Sequence, residues 1–258
     1  MEHAERQFHL GLRAGDVGGY AILPGDPGRC EQIASYFDDP RELAFHREFR
    51  TFAGTLDGTP VCVTSTGIGG PSAAICMEEL AAIGVHTFLR VGTCGGINPA
   101  VRAGDLVIAT GAIRHEGTSR EYLPLEYPAV PDYAVLSALA AEAQARREPY
   151  HCGVVQCKDS FYGQHAPETM PVCEMLTYKW NAWKRAGVLA SEMESTALFC
   201  CAAARHVRCG SIFSVLWNQE REAQGLHDEP CYDTTHAICT AVGAIRRLIA
   251  ADTARQAT

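Results

Sequence analysis

Three glycine-containing turns, each following a short apolar run, have the residue types needed to bind an anion. Glycine lets the backbone approach a ligand closely and exposes N–H donors, while a guanidinium group offers two parallel donors to phosphate oxygens. One such turn is usually only a tight turn, but three in one chain, two of them with an arginine, favour an anion site. None matches a dinucleotide-binding or Walker pattern, so the anion is not specified. The turns are Leu23–Arg29, Ser65–Pro71 and Leu89–Gly96.

A fourth segment, Val188–Ser195, carries two carboxylates two positions apart where an apolar run leads into a helical pattern. Acidic residues are favoured at a helix N-terminus, which accounts for Glu192 without any ligand. Glu194 lies beside Met193 and, given the anion turns, can accept hydrogen bonds from two sugar hydroxyls. The segment therefore adds ribose to the candidate ligands.

Short β-rich apolar runs alternate with amphipathic stretches along the chain, which predicts an α/β fold. We expect a single domain over residues 1–258, with three α/β/α layers around a central, mostly parallel or mixed sheet. In such sheets ligands bind where strand ends meet glycine-rich turns, so we expect the four segments at that edge. The predicted strands are Tyr20–Leu23, Val61–Thr66, Thr87–Val91, Leu106–Ala109, His151–Cys157 and Ser211–Leu216. The predicted helices are Pro71–Ile83, Tyr133–Arg146, Ser191–His206 and Thr234–Ala250.

The composition excludes several classes of protein. A formal net charge of −8 argues against nonspecific nucleic-acid binding, which depends on a basic surface. No apolar run is long enough to cross a membrane, and the first residues lack the apolar stretch of a signal peptide, so we expect a cytoplasmic protein. The 12 cysteines include no C-x-x-C pair, which favours buried thiols over disulfides or a metal site.

Seven short motifs, spread from residue 8 to residue 195, resemble in content and order those of the nucleoside phosphorylases, the family that includes bacterial uridine phosphorylase. The resemblance covers essentially the whole chain and implies phosphorolysis of a nucleoside, with inorganic phosphate as co-substrate and no cofactor. The motifs are Phe8–Leu12, Pro24–Arg29, His46–Phe49, Ser65–Ser72, Arg90–Thr93, Pro124–Val130 and Glu192–Ser195.

The same resemblance implies roles for individual residues. His9 and Arg47 would act in the site of a neighbouring subunit, so the smallest active unit would be a dimer and the assembly a hexamer. Glu48, Ile68 and Ser72 match positions where some relatives bind a monovalent cation between subunits. Phosphate would be bound by Gly25, Arg29, Arg47, Arg90 and Thr93, and ribose by His9, Met193 and Glu194.

The base-recognition segment, Lys158–Glu168, departs from the pattern of well-known uridine phosphorylases. Gln164 is retained, but an arginine is missing and His165 follows the glutamine. Negative charge spreads onto O2 and O4 of a departing uracil, so we expect a protonated His165, or Lys158, to replace that arginine. The Gln164 amide can donate to one oxygen and accept from N3–H. The alternative for His165 is a solvent-exposed loop histidine.

The expected base is uracil. Related purine enzymes carry an aspartate just after the strand that corresponds to Ser211–Leu216, whereas this chain has no carboxylate there. Leu216 and Trp217 suggest an apolar wall for a small flat base, and Phe161 a stacking partner. We therefore expect conversion of uridine and phosphate into uracil and ribose 1-phosphate. The alternatives are a purine nucleoside phosphorylase, a hydrolytic nucleosidase or a noncatalytic nucleoside-binding protein.

Overall fold

A computed structural model of the chain describes residues 6–256, in which nine strands form one mixed sheet. The strand order is β2-β3-β4-β1-β5-β8-β7-β6-β9, and β5 pairs in addition with β9. The strands are β1 (Tyr20–Pro24), β2 (Asp38–His46), β3 (Phe49–Leu56), β4 (Thr59–Thr64), β5 (Thr87–Gly96), β6 (Leu106–His115), β7 (Tyr150–Lys158), β8 (Ala190–Glu192) and β9 (Arg208–Asn218).

The extra pairing closes half of the sheet into a ring of five strands. Strand β5 runs parallel to β1 and β9 and antiparallel to β8, while β6 runs parallel to β7 and antiparallel to β9. A register shift between Cys94 and Gly95 lets the end of β5 pair with both β8 and β9. Strands β1, β4, β5 and β9 are mutually aligned in parallel pairs, so their carboxyl ends lie at one edge.

The described part of the chain contains nine α-helices. They are α1 (Gly28–Ala34), α2 (Gly70–Ala82), α3 (Thr118–Tyr122), α4 (Tyr133–Arg146), α5 (Phe161–His165), α6 (Cys173–Arg185), α7 (Ser195–Arg205), α8 (Gln219–Ala223) and α9 (Thr235–Gln256). Buried residues of α2 and α7 belong to one core, and those of α1, α4 and α9 to another. Side chains of β1 alternate between the two cores, as period-2 geometry requires.

The predicted three-layer α/β/α fold with a mixed sheet is confirmed, and all six predicted strands and four predicted helices are present. One predicted boundary was wrong, and some elements, such as helix α6 and one hairpin, were missed. Helix α7 begins only at Ser195, because Ala190–Glu192 pairs as strand β8. The hairpin of β2 and β3 was missed, since β2 is an edge strand of mostly exposed residues and shows no apolar alternation. That one domain spans 1–258 stays a prediction, as residues 1–5 and 257–258 lie outside the described range.

Two further properties of residues 6–256 concern membranes and metals. No helix in that range is long and apolar enough to cross a membrane. The same residues include no group of three or more His, Cys, Asp or Glu side chains suited to hold a metal ion. Most of the cysteines are buried, as predicted, among them Cys62, Cys76, Cys94 and Cys157, whereas Cys239 is only partly buried and Cys152 is exposed.

Candidate active site

A cleft of about 670 Å³ opens at the carboxyl edge of the parallel strands. It is the place predicted for a ligand from the positions of the glycine-rich turns. The turns after β1 and β4 form one side, strand β5 forms the floor, and β8 with helix α5 forms the other side. Its walls include Gly25, Arg29, Ile68, Arg90, Thr93, Lys158, Phe161, Gln164, His165, Ser191, Met193, Glu194 and Leu216.

Two arginines give one end of this cleft its positive charge. Arg90, on β5, is buried, and its Nε has no hydrogen-bond partner among the described residues. The side chain of Arg29, on α1, forms no hydrogen bond within the described residues. Partial burial and the charge of Arg90 lower the pKa of Arg29, and Asp26 opposes that shift. A buried donor without a partner and two cations that repel each other are both stabilised by a bound anion. This end of the cleft is therefore suited to phosphate.

The turn after β4 aligns Glu194 with Arg90. Gly67 and Gly69 have φ values of +67° and +94°, which favour glycine, and a Cβ on Gly67 would lie 2.7 Å from Glu48 Cγ. This backbone points the Gly69 N–H at Glu194 Oε1, 2.7 Å away, while Oε2 accepts from Arg90 Nη2. Both side chains are about 5% exposed, so the ion pair is held in one arrangement. The remaining lone pairs of Glu194 are available to sugar hydroxyls.

Glu192 has a structural role, which agrees with the sequence argument that a helix N-terminus accounts for it. Its carboxylate accepts the backbone N–H groups of Glu194 and Ser195 at 2.9–3.1 Å. These groups belong to the first turn of α7, where N–H donors lack partners within the helix. Burial and the nearby Glu194 raise the pKa of Glu192. Glu192 thus fixes the turn that carries Met193 and Glu194.

A hydrogen-bonded chain of three side chains lies at the opposite end of the cleft. Lys158, the last residue of β7, donates through Nζ to Ser191 Oγ, and Ser191 Oγ donates to Gln164 Oε1 over 2.5 Å. Lys158 is 5% exposed and Ser191 is 3% exposed. No carboxylate in the described residues forms an ion pair with Lys158, so its charge is balanced only at longer range by Glu192 and Glu194. Burial lowers its pKa and these carboxylates oppose that shift.

His165 is less suited than Lys158 to carry the positive charge expected at the base. Its ring lies 4.4 Å from that of Phe161 and 6.4 Å from that of Trp217. Desolvation by its neighbours, followed by the charge of Lys158, lowers the pKa of His165 below 6.5. Both effects favour the neutral imidazole. Lys158 is therefore the better suited of the two candidates, and replacement of the missing arginine by either residue stays a prediction, although the His165 ring does line the cleft.

Leu216 and Trp217 do not form one wall, contrary to the sequence-based expectation. The register shift between Cys94 and Gly95 leaves Leu216 without a paired residue on β5. Leu216 lines the cleft, whereas Trp217 lines a second cavity of about 410 Å³. Trp180 and Trp183 of α6 form much of that cavity. Lys158, Gln164 and His165 line both spaces and separate them, together with other side chains.

The strand end where purine enzymes carry an aspartate is occupied by a structural asparagine. Asn218 is 2% exposed, and its Nδ2 donates to the carbonyls of Asn98 and Val101 at 2.8 Å. Its Oδ1 accepts the N–H groups of Glu220 and Arg221, which caps helix α8. Every polar atom of Asn218 is thus used within the fold, and the residue does not line the cleft.

Two predicted site residues, His9 and Arg47, lie outside the cleft of their own chain. Arg47 is exposed at the tip of the β2–β3 hairpin, with a left-handed φ of +56°. His9 is held by Glu79, with Nδ1 2.6 Å from Oε1. His46 Nδ1 lies 2.7 Å from the His9 carbonyl oxygen, so the two predicted residues share one surface. Their predicted roles across an interface stay predictions.

Glu48, Ile68 and Ser72 lie close together beside the cleft, as the resemblance predicts for a cation site. Ser72 Oγ is 2.7 Å from Glu48 Oε1, and hydrogen bonding to Ser72 lowers the pKa of Glu48, which keeps the carboxylate ionised. The side chain of Ile68 is a hydrocarbon, so only its carbonyl group offers a ligand atom. Oxygen donors of this kind suit a hard cation. The cation itself stays a prediction.

Comparison with known proteins decides the family. The sequence model of the Phosphorylase superfamily matches residues 20–250, which is most of the chain. The chain belongs to the phosphorylase superfamily. The sequence-based prediction of a nucleoside phosphorylase relative is thereby confirmed.

Individual relatives in this superfamily are similar over nearly their full length. Uridine phosphorylase of Treponema pallidum is 55% identical over 249 residues, which cover 96% of each chain. Uridine phosphorylase of Escherichia coli is 41% identical, covering 94% of this chain and 98% of the relative. A guanosine phosphorylase of Halorubrum lacusprofundi is 42% identical, covering 81% of this chain and 83% of the relative. The sequence similarity thus supports uridine phosphorolysis, although one purine-acting relative is as similar to this chain as the Escherichia coli enzyme.

Sequence reasoning missed two residues that the fold places in the site. Ser191 was assigned to a helix, and its link between Lys158 and Gln164 depends on β8 pairing with β7. Thr66 Oγ1 lies 3.4 Å from Arg90 Nη1 and helps to orient the guanidinium. A serine or threonine in an apolar segment carries no signal of its own, because both are common in strands.

Proposed function

We propose that this protein catalyses the reversible phosphorolysis of uridine to uracil and ribose 1-phosphate, as a pentosyltransferase. The observation that carries the proposal is the buried junction of Arg90 with Glu194, in which one guanidinium holds a sugar-binding carboxylate and keeps Nε free for an anion. A site for phosphate therefore adjoins a site for ribose within one cleft.

In the proposed reaction a phosphate oxygen bonds to C1′ of the ribose while the bond from C1′ to N1 of uracil breaks. The bonding electrons leave with the base, and positive charge builds on the ribose ring. Arg29, Arg90 and Thr93 position the phosphate, and Glu194 fixes the sugar through its hydroxyls. Holding both reactants in contact removes much of the entropic barrier to the reaction.

The departing uracil carries negative charge on O2 and O4, so the site needs donors and a cation near the base. Lys158 supplies the cation, since it is buried, donates to a single neighbour and lines the same cleft. A preorganised charge in a site with little water stabilises a developing anion strongly. Gln164 contacts the base edge and Phe161 stacks against its face.

A purine substrate is the second candidate, because a guanosine phosphorylase is among the relatives. Protonation at N7 makes a purine a good leaving group, and an acid beside the base supplies that proton. Asn218 stands at the corresponding strand end and is fully used in capping α8. Uridine is therefore favoured. Equal turnover of guanosine and uridine would contradict this choice.

A phosphate-dependence assay separates phosphorolysis from hydrolysis by a nucleosidase and from simple nucleoside binding. Uracil release from uridine is measured with and without inorganic phosphate. Turnover that persists without phosphate indicates a hydrolase, and no turnover in either case indicates a binding protein. Arg29→Met should raise the KM for phosphate at least tenfold, since a charged hydrogen bond contributes about 1.5–3 kcal/mol. The surface variant Arg247→Met is the matched control.

The assembly, the cation and the location also belong to this proposal. A dimer is the smallest active unit if the exposed Arg47 and His9 complete a neighbouring site, and a hexamer is the proposed assembly. Phe8, Phe45 and Ile68 are exposed on this part of the chain, as an interface would require. A fully active monomer in sedimentation velocity would contradict the shared site. A monovalent cation at Glu48 and a cytoplasmic location stay predictions from the sequence.

A further inference from the structure

The orientation of the Gln164 amide is set by its neighbours. Lys158 carries only donors, so Ser191 Oγ must accept from Lys158 Nζ. The single proton of the Ser191 hydroxyl then has to go to another acceptor, and Gln164 Oε1 lies 2.5 Å away. Gln164 Oε1 is the acceptor that the described residues offer to this proton. The chain of hydrogen bonds therefore runs in one direction, from Lys158 through Ser191 to Gln164.

This direction decides what Gln164 offers to a ligand. A flip of the amide would place Nε2 against Ser191, and the serine hydroxyl would lose its acceptor in a buried site. Such an orphaned donor is strongly disfavoured. Gln164 Nε2 is only loosely held on its other side, with Gln219 Oε1 at 3.4 Å. The amide is thus fixed by Ser191 and keeps donor and acceptor capacity for the cleft.

Uracil and cytosine differ at the edge that such an amide reads. Uracil presents an acceptor at O4 beside a donor at N3–H, and cytosine presents a donor at N4 beside an acceptor at N3. An amide that can flip forms complementary hydrogen bonds with either base, whereas an amide fixed in one orientation forms them with only one of the two. We infer that Ser191 is a specificity-determining positioning residue, which fixes the Gln164 amide in the orientation that accepts uracil and rejects cytosine. The inference rests on the proposed function at this same cleft.

The test compares the binding of uracil and cytosine to the full-length protein in the presence of inorganic phosphate, by calorimetry. Ser191→Ala should reduce the preference for uracil over cytosine by about ten- to a hundredfold, the usual effect of an unpaired buried donor. Ser191→Thr keeps the hydroxyl and should retain the preference within about threefold. A purely structural role would weaken both bases equally and leave the ratio unchanged, which would overturn the inference.

A second pair of variants tests the direction of the hydrogen bonds from Lys158 through Ser191 to Gln164. This test does not depend on correct folding of Ser191→Ala. Lys158→Gln introduces a new acceptor for the serine proton, which frees Gln164 to flip, so the preference for uracil should fall. Lys158→Met introduces no acceptor and should keep the preference, even though it removes the charge. Equal ratios for these two variants would overturn the inference. Because calorimetry needs no turnover, absence of uridine phosphorolysis in the wild type would contradict the proposed function separately.

Discussion

Replacement of Glu194 by glutamine tests the buried junction between the sugar and phosphate ends of the cleft. The substitution keeps the shape of the side chain and removes its charge. A hydrogen bond to a charged group contributes about 1.5–3 kcal/mol and a neutral one about 1 kcal/mol. With two ribose hydroxyls bound, we expect a loss of about 2 kcal/mol, or roughly 30-fold in kcat/KM for uridine.

The loss should depend on the number of hydroxyls in the substrate. With 2′-deoxyuridine only one such bond is weakened, so the same variant should lose about 1 kcal/mol, or roughly fivefold in kcat/KM. Initial rates of both nucleosides at saturating phosphate, for wild type and variant, give this difference as a coupling energy. Equal losses for the two substrates would refute a sugar-binding role for Glu194.

The variant also leaves Arg90 as a buried charge without its carboxylate, which lowers the free energy of unfolding by about 3–5 kcal/mol. Added phosphate should restore stability more strongly in Glu194→Gln than in the wild type, because phosphate then becomes the main counter-charge. Thermal unfolding with and without phosphate measures this effect. Glu220→Gln is the matched control, since Glu220 pairs with Lys184 outside the cleft and should leave both kinetics and phosphate response unchanged.

Three further outcomes are expected. Lys158→Met should lower kcat/KM for uridine about 10- to 100-fold, because the lost charge contributes about 1.5–3 kcal/mol. The loss should be smaller for 5-fluorouridine, whose base leaves more readily. Equal losses for the two substrates would contradict a role of Lys158 at the leaving base. His165→Ala should leave the shape of the pH profile of kcat/KM unchanged above pH 6.5, because the lowered pKa favours the neutral imidazole there. A change of kcat/KM near pH 7 that is present in the wild type and absent in the variant would contradict this expectation. Hydrogen bonds from Arg208 and Tyr20 lower the pKa of Asp252 below 3.8 in the folded protein. The contribution of Asp252 to the free energy of unfolding is therefore complete above the unfolded pKa of about 3.8 and is lost as the pH falls through the lower folded pKa. Asp252→Asn should therefore reduce the free energy of unfolding by about 1–3 kcal/mol at pH 7, and urea titrations at pH 7 and pH 3.5 should show the difference shrinking.

The sequence predicted those parts of the fold that depend on local pattern. Alternating apolar runs located the buried strands, and the glycine-rich turns located the carboxyl edge where the cleft lies. The closed ring of strands was not predictable, because it depends on a register shift between Cys94 and Gly95 that no local preference encodes. The edge strand β2 was missed for a related reason, since it buries little and therefore carries little pattern.

The charged residues of the candidate site could be predicted from the sequence, whereas the neutral residues that connect them could not. Arg90 and Glu194 could be predicted as site residues because a charged residue in an apolar segment requires a partner or a ligand. Their contact with each other, 104 positions apart in the chain, came only from the fold. Trp217 was assigned to the cleft because residue type cannot reveal which side of a strand faces a ligand.

In the proposed site, sharing of the Arg90 guanidinium makes the two substrates thermodynamically dependent on each other. A phosphate that draws on the free Nε of Arg90 changes the charge felt by Glu194, and ribose hydroxyls on Glu194 change the charge felt by phosphate. By linkage, the factor by which phosphate alters the affinity for uridine equals the factor by which uridine alters the affinity for phosphate. Affinities measured for either substrate alone are therefore not those that operate in the ternary complex.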